Sequence, residues 1–290
     1  MTCMNALSVD LEDWCQSTFD RSKPISRRVV DNTMRLLDLL DRWNAKATFF
    51  VLGRVAEVYP ELVMEVHRRG HEIASHGYSH TPIFLQTPGQ FAADVERSIS
   101  LLESMTSCKV IGYRAPDFSI TRQTLWALQV LEESDILYDS SIFPILHWGY
   151  GISYWPRGPH QVHMKGIKRF IEFPISTLKI LGVNVPFVGG GYTRLCPTFI
   201  LERGISSLNR QGLPAVIYLH PYEIDLDEFD SLNNEIPFRL RFHQGLNRRK
   251  VLPKLENLMQ EFRFASMGEL LRSLGFLSRE EVNCYISKGA

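Results

Sequence analysis

The sequence predicts an α/β fold, a distorted (β/α) barrel of about seven strands. Three observations carry that prediction. Short apolar, strand-like runs alternate with stretches of helical periodicity, a polar cluster follows each of several of those runs, and 290 residues with 44% hydrophobic content suit one such barrel. In a (β/α) barrel the C-terminal strand ends converge on one rim, so polar residues recurring at run ends predict a single shared site.

Taken in order, Ala6-Leu7-Ser8-Val9 leads into Asp10, Leu11, Glu12 and Asp13. Val30, Met34, Leu37 and Leu40 then recur at three-to-four spacing, as do Leu62 and Val66, which reads as amphipathic helix. An apolar stretch precedes Ser75-His76-Gly77-Tyr78-Ser79-His80. Lys109-Val110-Ile111-Gly112-Tyr113 leads into Arg114-Ala115-Pro116-Asp117, Ile136-Leu137-Tyr138 into Asp139, and Pro214 to Leu219 into His220-Pro221. The alternation is interrupted over about 142–197, where Gly, Pro and aromatics (Trp148, Tyr150, Tyr154, Trp155) concentrate. This reads as an insertion near the rim of a single domain covering 1–290.

Composition excludes several classes. Lys plus Arg and Asp plus Glu number 32 each, so no net field draws nucleic acid or an anionic membrane surface. The cysteines, Cys3, Cys15, Cys108, Cys196 and Cys284, are odd in number and contain no Cys-x-x-Cys pair, which argues against a disulfide framework and against a thiolate zinc knuckle. Residues 1–13 lack the basic and apolar regions of a secretory signal, and the best uncharged run, Ile180 to Thr193, contains a Pro and four Gly and falls short of the ~20 residues a membrane helix needs. The expectation is a cytoplasmic protein with no transmembrane span; its oligomeric state stays open.

His76 and His80 carry the chemistry. Imidazoles at i and i+4 can point the same way from one helical turn, and a carboxylate from another strand would complete a three-ligand face for a divalent metal with positions left for water and substrate. Zinc suits that set best, although cobalt, nickel or manganese can occupy it. The pair alone is a weak motif; the clusters at Asp10, Arg114, Asp139 and His220 give it weight.

The order Ser8-Val9-Asp10-Leu11-Glu12-Asp13-Trp14, His76-x-x-x-His80, Arg114-x-Pro116, Tyr138-Asp139-Ser140-Ser141 and Leu219-His220-Pro221 resembles the polysaccharide deacetylases of the NodB-homology type, carbohydrate esterase family four. Gly189-Gly190-Gly191-Tyr192-Thr193-Arg194 and the stretch Pro237 to His243, within a C-terminal segment of about 225–290, resemble the branch associated with exosortase and exopolysaccharide genes.

The resemblance implies roles. Asp10 matches the catalytic base that takes a proton from the attacking water, and Arg114 the arginine that pairs with and aims it. His220 matches the acid that protonates the leaving nitrogen, and Asp139 the carboxylate that orients His220. The backbone N–H of Asp117 stands where the family binds the tetrahedral oxyanion, with Asp in place of the usual aromatic. Tyr218 and Leu219 would wall the acetyl pocket. The family's adjacent aspartates are interrupted here by Leu11, so either Glu12, on Asp10's side of an extended strand, or Asp13, after a sharp turn, supplies the carboxylate ligand.

The resulting expectation is a metal-dependent hydrolase removing N-acetyl groups from the amino sugars of a polysaccharide or its precursor, acting in the cytoplasm or at the inner membrane face. The alternatives are a hydrolase of another C–N bond, in a cyclic amide or ureide, and a non-catalytic carbohydrate-binding protein. A pocket closed by bulky loops favours the ureide, an open aromatic groove the glycan. His67, His71, His147, His160, His163 and His243 carry no motif and read as structural or exposed. Trp14, Trp148 and Trp155 suit sugar stacking and core packing equally.

Overall fold

In the computed structural model, which describes residues 3–147, 149–231 and 236–286, strand β1 (Met4–Leu11) runs through the middle of a mixed, strongly curled sheet. Trp148 lies outside the described residues. Around β1 stand β2 (Thr48–Val51), β3 (Glu72–Ser75), β4 (Gly112–Tyr113), β5 (Tyr138–Asp139), β6 (His160–Gln161), β7 (Ile171–Glu172) and β10 (Val216–Leu219), in the order β10-β1-β2-β3-β4-β5-β7-β6. The seven from β10 to β7 are mutually parallel and β6 is antiparallel, so the expected strand set appears as a half-barrel. Between them lie α1 (Arg28–Arg42), α2 (Gly53–Val58), α3 (Pro60–Arg68), α4 (Pro88–Thr106) and α5 (Trp126–Glu133).

Strand alternation divides the core in two. Leu7, Val9 and Leu11 of β1 point outward into the larger cluster shared with the helices, while Ala6 joins Phe50, Ala74, Tyr138, Val216 and Tyr218 inside the barrel. The buried stripe of α1 is Val29, Thr33, Leu36, Leu37 and Leu40, each large apolar side chain contributing about 1.5–3 kcal/mol. Val30 and Met34, which the periodicity put on this face, are its half-buried flank. Helix α4 begins at a reciprocal cap between Thr87 and Gln90 with Pro88 at its first position, and stops at Ser107 in left-handed backbone.

The predicted rim insertion is only partly irregular. β7 within it extends the main sheet (Tyr138 beside Ile171, Asp139 beside Glu172), whereas β8 (Thr177–Ile180) and β9 (Val183–Pro186) form a separate antiparallel hairpin. α6 (Gly190–Leu195) and α7 (Thr198–Arg210) follow, and after β10 come α8 (Glu228–Ser231), α9 (Phe238–Gly245) and α10 (Val251–Glu261).

The floor of the barrel comes from the end of the chain. β11 (Arg263–Ala265) pairs with Met4–Ala6, below the Ser8–Leu11 stretch of β1 that pairs with β2. α11 (Met267–Ser273) then inserts Met267, Leu270 and Leu271 into the inner cluster. Fully buried Glu72 latches it: its carboxyl accepts from Gly268 N at 2.9 Å, Thr48 Oγ1 at 2.6 Å and Tyr138 Oη at 2.9 Å, and burial raises its pKa. A β-carbon on Gly268 would meet Glu72 at 2.6 Å, so glycine alone fits. A last helix, α12 (Arg279–Ile286), adds Val282 to the same cluster.

Cys3, Cys15 and Cys196 are free thiols, and Cys108 is disulfide-bonded. Among the described residues, no helix is long and apolar enough to cross a membrane.

Candidate active site

Because the seven strands run parallel, their C-terminal ends share one rim, and the polar residues read from the sequence meet there. Asp10 points inward from β1 beside Ser8, and both are bound by one guanidinium nitrogen of Arg114, at 2.6 Å and 2.9 Å. Arg114 also donates to the carbonyl and hydroxyl of Ser140 and lies over the Phe50 ring. It is 0% exposed and Asp10 2% exposed, so this is a desolvated, fully hydrogen-bonded ion pair that fixes the carboxylate's direction.

Beyond Asp10 the chain turns, Glu12 N donating back to Asp10 O, and Glu12 projects toward the two histidines. Its Oε2 lies 2.6 Å from His80 Nε2 and 3.4 Å from His76 Nε2, all three side chains being buried. That oxygen makes no hydrogen bond of acceptable geometry to either ring. Burial would raise the Glu12 carboxyl, but His80, His76 and His220 hold it well below the usual range. Three lone-pair-bearing atoms crowded together without satisfying one another fit a cation placed between them. His76 Nδ1 donates to the Arg114 carbonyl at 2.8 Å, which leaves Nε2 as its ligand atom. The Asp13 carboxylate instead accepts from Ser26 Oγ at 2.6 Å and stands outside this cluster.

The histidines do not lie on a helical turn, as their spacing suggested. Residues 76–80 form an irregular loop after β3, with Gly77 at φ 71° and His80 at φ 57°. Asp94 of α4 holds it, accepting from Tyr78 N (2.7 Å), Ser79 N (3.1 Å) and Ser79 Oγ (2.6 Å). A β-carbon on Gly77 would press within 2.9 Å of Asp94 Oδ2, so the glycine lets the carboxylate reach the loop backbone.

His220 follows β10 and turns Nε2 toward Asp10 (3.8 Å) and Glu12 (3.6 Å). The carboxylate behind it is not Asp139, the residue the resemblance implied. Glu223, three residues on, sits 3.4 Å from His220 Nδ1, accepts from His220 N at 3.1 Å, and is anchored by Arg194 of α6 at 2.9 Å. Burial works against the imidazolium, but the Glu223 hydrogen bond and the charges of Glu12, Glu223 and Asp10 push the His220 pKa up to about 9. Tyr222 stacks on the imidazole.

Asp139 serves another part of the site. Its oxygens accept from Ser141 N and Ser141 Oγ, and it shares a hydrogen bond with Glu172, the residue beside it on β7. Ser141 Oγ accepts from Ala115 N at 2.7 Å, so the pair braces the turn that carries Asp117. The physical reason for the reassignment is register: Asp139 faces its sheet neighbour, buried, and burial raises both acids, Asp139 to about 6. Asp117 itself has left-handed backbone (φ 54°), which aspartate tolerates better than the bulkier residues. Its N–H meets no protein acceptor among the described residues, and its side chain faces Arg21 at 3.6 Å.

A cavity of about 360 Å³ opens beside His220, lined by Tyr150, Tyr192, Tyr218, Tyr222 and Glu223 with His147 and His243. Tyr218 thus walls the site, whereas Leu219 packs into the outer core. His147 and His243, read from sequence as structural or exposed, line this cavity; lying far apart in sequence, His243 on α9 and His147 before the hairpin, they gave no motif. His71 is structural, buried and accepting from Ala47 N. Trp14 is core, packed on Phe19 and Phe229, and Trp155 packs against the main core.

Residues 12–133 match the family model described as polysaccharide deacetylase, and residues 140–272 match a domain of unknown function, DUF3473. The chain is 36% identical over 110 residues to the peptidoglycan deacetylase-like protein FGM2 of Gibberella zeae, covering 37% of this chain and 32% of that protein. It is 31% identical over 101 residues to a peptidoglycan-N-acetylglucosamine deacetylase of Bacillus cereus, covering 34% and 37%. The match therefore spans about a third of each relative's length. A Mycobacterium smegmatis crystal structure, provisionally named a polysaccharide deacetylase, superposes with a TM-score of 0.66 at 20% identity, covering 94% of this chain and 90% of that one, a likeness of fold. Residues 12–133 are thus similar to the polysaccharide deacetylase family, and residues 140–272 to the DUF3473 domain that follows them.

Proposed function

We propose that this protein is a metal-dependent hydrolase that removes N-acetyl groups from the amino sugars of a polysaccharide or its precursor, in exopolysaccharide biosynthesis. One observation carries the reading: the Glu12, His76, His80 cluster lies beside Asp10 and His220, the His220 Nε2 being within 3.8 Å of both Asp10 and Glu12. Bound by Glu12, His76 and His80, a divalent cation, zinc by its ligand set, would acidify a water and polarise the acetyl carbonyl.

The protein's own groups do the rest. Asp10, aimed by Arg114, accepts the proton of the attacking water. The free N–H of Asp117, braced through Ala115 and Ser141, donates to the oxyanion of the tetrahedral intermediate. His220 gives its Nε2 proton to the departing amine while Glu223 steadies Nδ1. The names of the relatives, deacetylases of peptidoglycan, support an N-acetylated glycan as substrate. A setting at the inner membrane face is part of the same proposal and is tested by cell fractionation.

The enzymatic test incubates the zinc-loaded protein with N-acetylglucosamine oligomers, peptidoglycan fragments, the producing strain's own glycan and small ureides, measuring acetate and free amine. Acetate from at least one glycan is expected. Asp10→Asn and His220→Asn should keep fold and metal yet lose ~100- to 10,000-fold in rate. Turnover of a ureide with no acetate from any glycan would refute the reading.

A further inference from the structure

We infer that the segment 140–272 closes the site into an end-on pocket, so that the enzyme takes the terminal amino-sugar residue of a chain and not an internal one. This rests on the deacetylase reading. His220 lies on the leaving-amine side of the reaction, and the cavity beside it is lined by His220 and Tyr218 but by none of Glu12, His76 and His80. The sugar that bears the amine therefore enters this cavity, while the acetyl group faces the cation, so Tyr218, which the resemblance put on the acetyl pocket, lines the sugar's side instead.

The walls are fastened to one another. Tyr150 and Tyr192 bring their hydroxyls to 3.3 Å and both pack on Phe143, joining Tyr150 to α6 along the cavity wall. Arg194 donates to the His243 and Gln244 carbonyls, joining α6 to the end of α9. Lys254 of α10 donates to the carbonyls of Thr193, Arg194 and Cys196, and Gly189 N to Thr193 Oγ1, so α6 is pinned at both ends. Gly189, at φ 94°, and Gly190 let the chain lie directly against the Tyr218 ring, where a β-carbon at 189 would come within 1.9 Å. On this inference a glycan threading past His220 would have to part the Tyr150–Tyr192 pair.

Size and chemistry agree with one residue. A volume of about 360 Å³ is near the lower end of the ~300–1,000 Å³ usual for ligand pockets, enough for a single sugar ring and a few waters. Tyrosine supplies flat apolar faces for the sugar's C–H side and hydroxyls for its polar rim.

The test uses N-acetylglucosamine oligomers of defined length and locates the deacetylated ring by mass spectrometry. The expected product has lost one acetate, from a terminal residue, whatever the chain length. Tyr150→Ala/Tyr192→Ala should open the bridge and raise the ratio of internal to terminal cleavage by about tenfold with metal content unchanged. Internal deacetylation by the wild-type enzyme would overturn the inference and leave the deacetylase reading standing. Terminal cleavage by wild type with no change in the double variant would overturn the bridge as its cause; should that variant not fold, the wild-type product map decides alone. No acetate from any glycan would overturn both readings.

Discussion

Replacing Asp94 by Ala should weaken metal binding although Asp94 is not a ligand. The 76–80 loop is held against its own backbone preference: His80 has φ 57°, a conformation that costs an ordinary residue about 1–2 kcal/mol. Asp94 offsets this by accepting hydrogen bonds at 2.7, 3.1 and 2.6 Å from Tyr78 N, Ser79 N and Ser79 Oγ. Bonds to a charged acceptor are each worth about 1.5–3 kcal/mol. Tyr78 and Ser79 are half-buried, so water would recover part of the loss, leaving about 2–4 kcal/mol. If half reaches the imidazoles, metal affinity falls ~5–30-fold, overlapping the ~10–100-fold seen when groups behind a ligand are removed. Competition with a zinc chelator measures this without any turnover, and circular dichroism confirms the fold. Wild-type affinity in a folded Asp94→Ala protein would refute the argument, and Asp94→Asn, which keeps one carbonyl acceptor, should lie between.

Three further outcomes are expected. Elemental analysis of purified variants should find Glu12→Gln, His76→Ala and His80→Ala depleted in metal and Asp13→Asn as loaded as wild type; depletion in Asp13→Asn alone would reverse the ligand choice. Asp139, ordinarily near 3.8, is raised by burial to about 6, so the folded state holds its proton more tightly than the unfolded chain. Its contribution to stability is full below the ordinary pKa and lost as pH rises through about 6, and Asp139→Asn should remove that slope; a stability difference between variant and wild type that stays constant from pH 4 to 8 in thermal melts would count against the assignment. Gly189→Ala, forced into left-handed backbone with its β-carbon 1.9 Å from the Tyr218 ring, should cost about 2–5 kcal/mol in denaturant melts, and an unchanged midpoint would contradict the packing described.

The strand-end positions were legible because alternation and chemistry coincide there: Asp10 had to face inward for Arg114 to reach it, while Glu12, past the end of β1, reaches the same rim through a turn. What lay beyond reach was partner choice. Asp139 and Glu223 are both acids near the rim, and only register showed that the first faces Glu172 while the second, three residues after His220 in a tight turn, reaches Nδ1. The spacing of Glu223 from His220 was the available signal. Arg194 closes a segment marked in the sequence only by resemblance, and Asp94 acts from the middle of α4, where no strand-end pattern points to it. β7 was hidden because two residues within a Gly- and Pro-rich stretch show no periodicity.

The dependence of the barrel floor on the end of the chain makes assembly order a property of this fold. Thr48 and Glu72 find their partners in Met267 and Gly268, 219 and 196 residues later, and Met4–Ala6 find theirs in β11. While the chain is being made, the inner face of the sheet stays uncovered until α11 emerges, an interval in which non-local contacts are unmade and apolar surface is open to aggregation. A fragment cut near residues 133–140, where the two family matches meet, would leave β1 to β4 without β10, α11 or a floor.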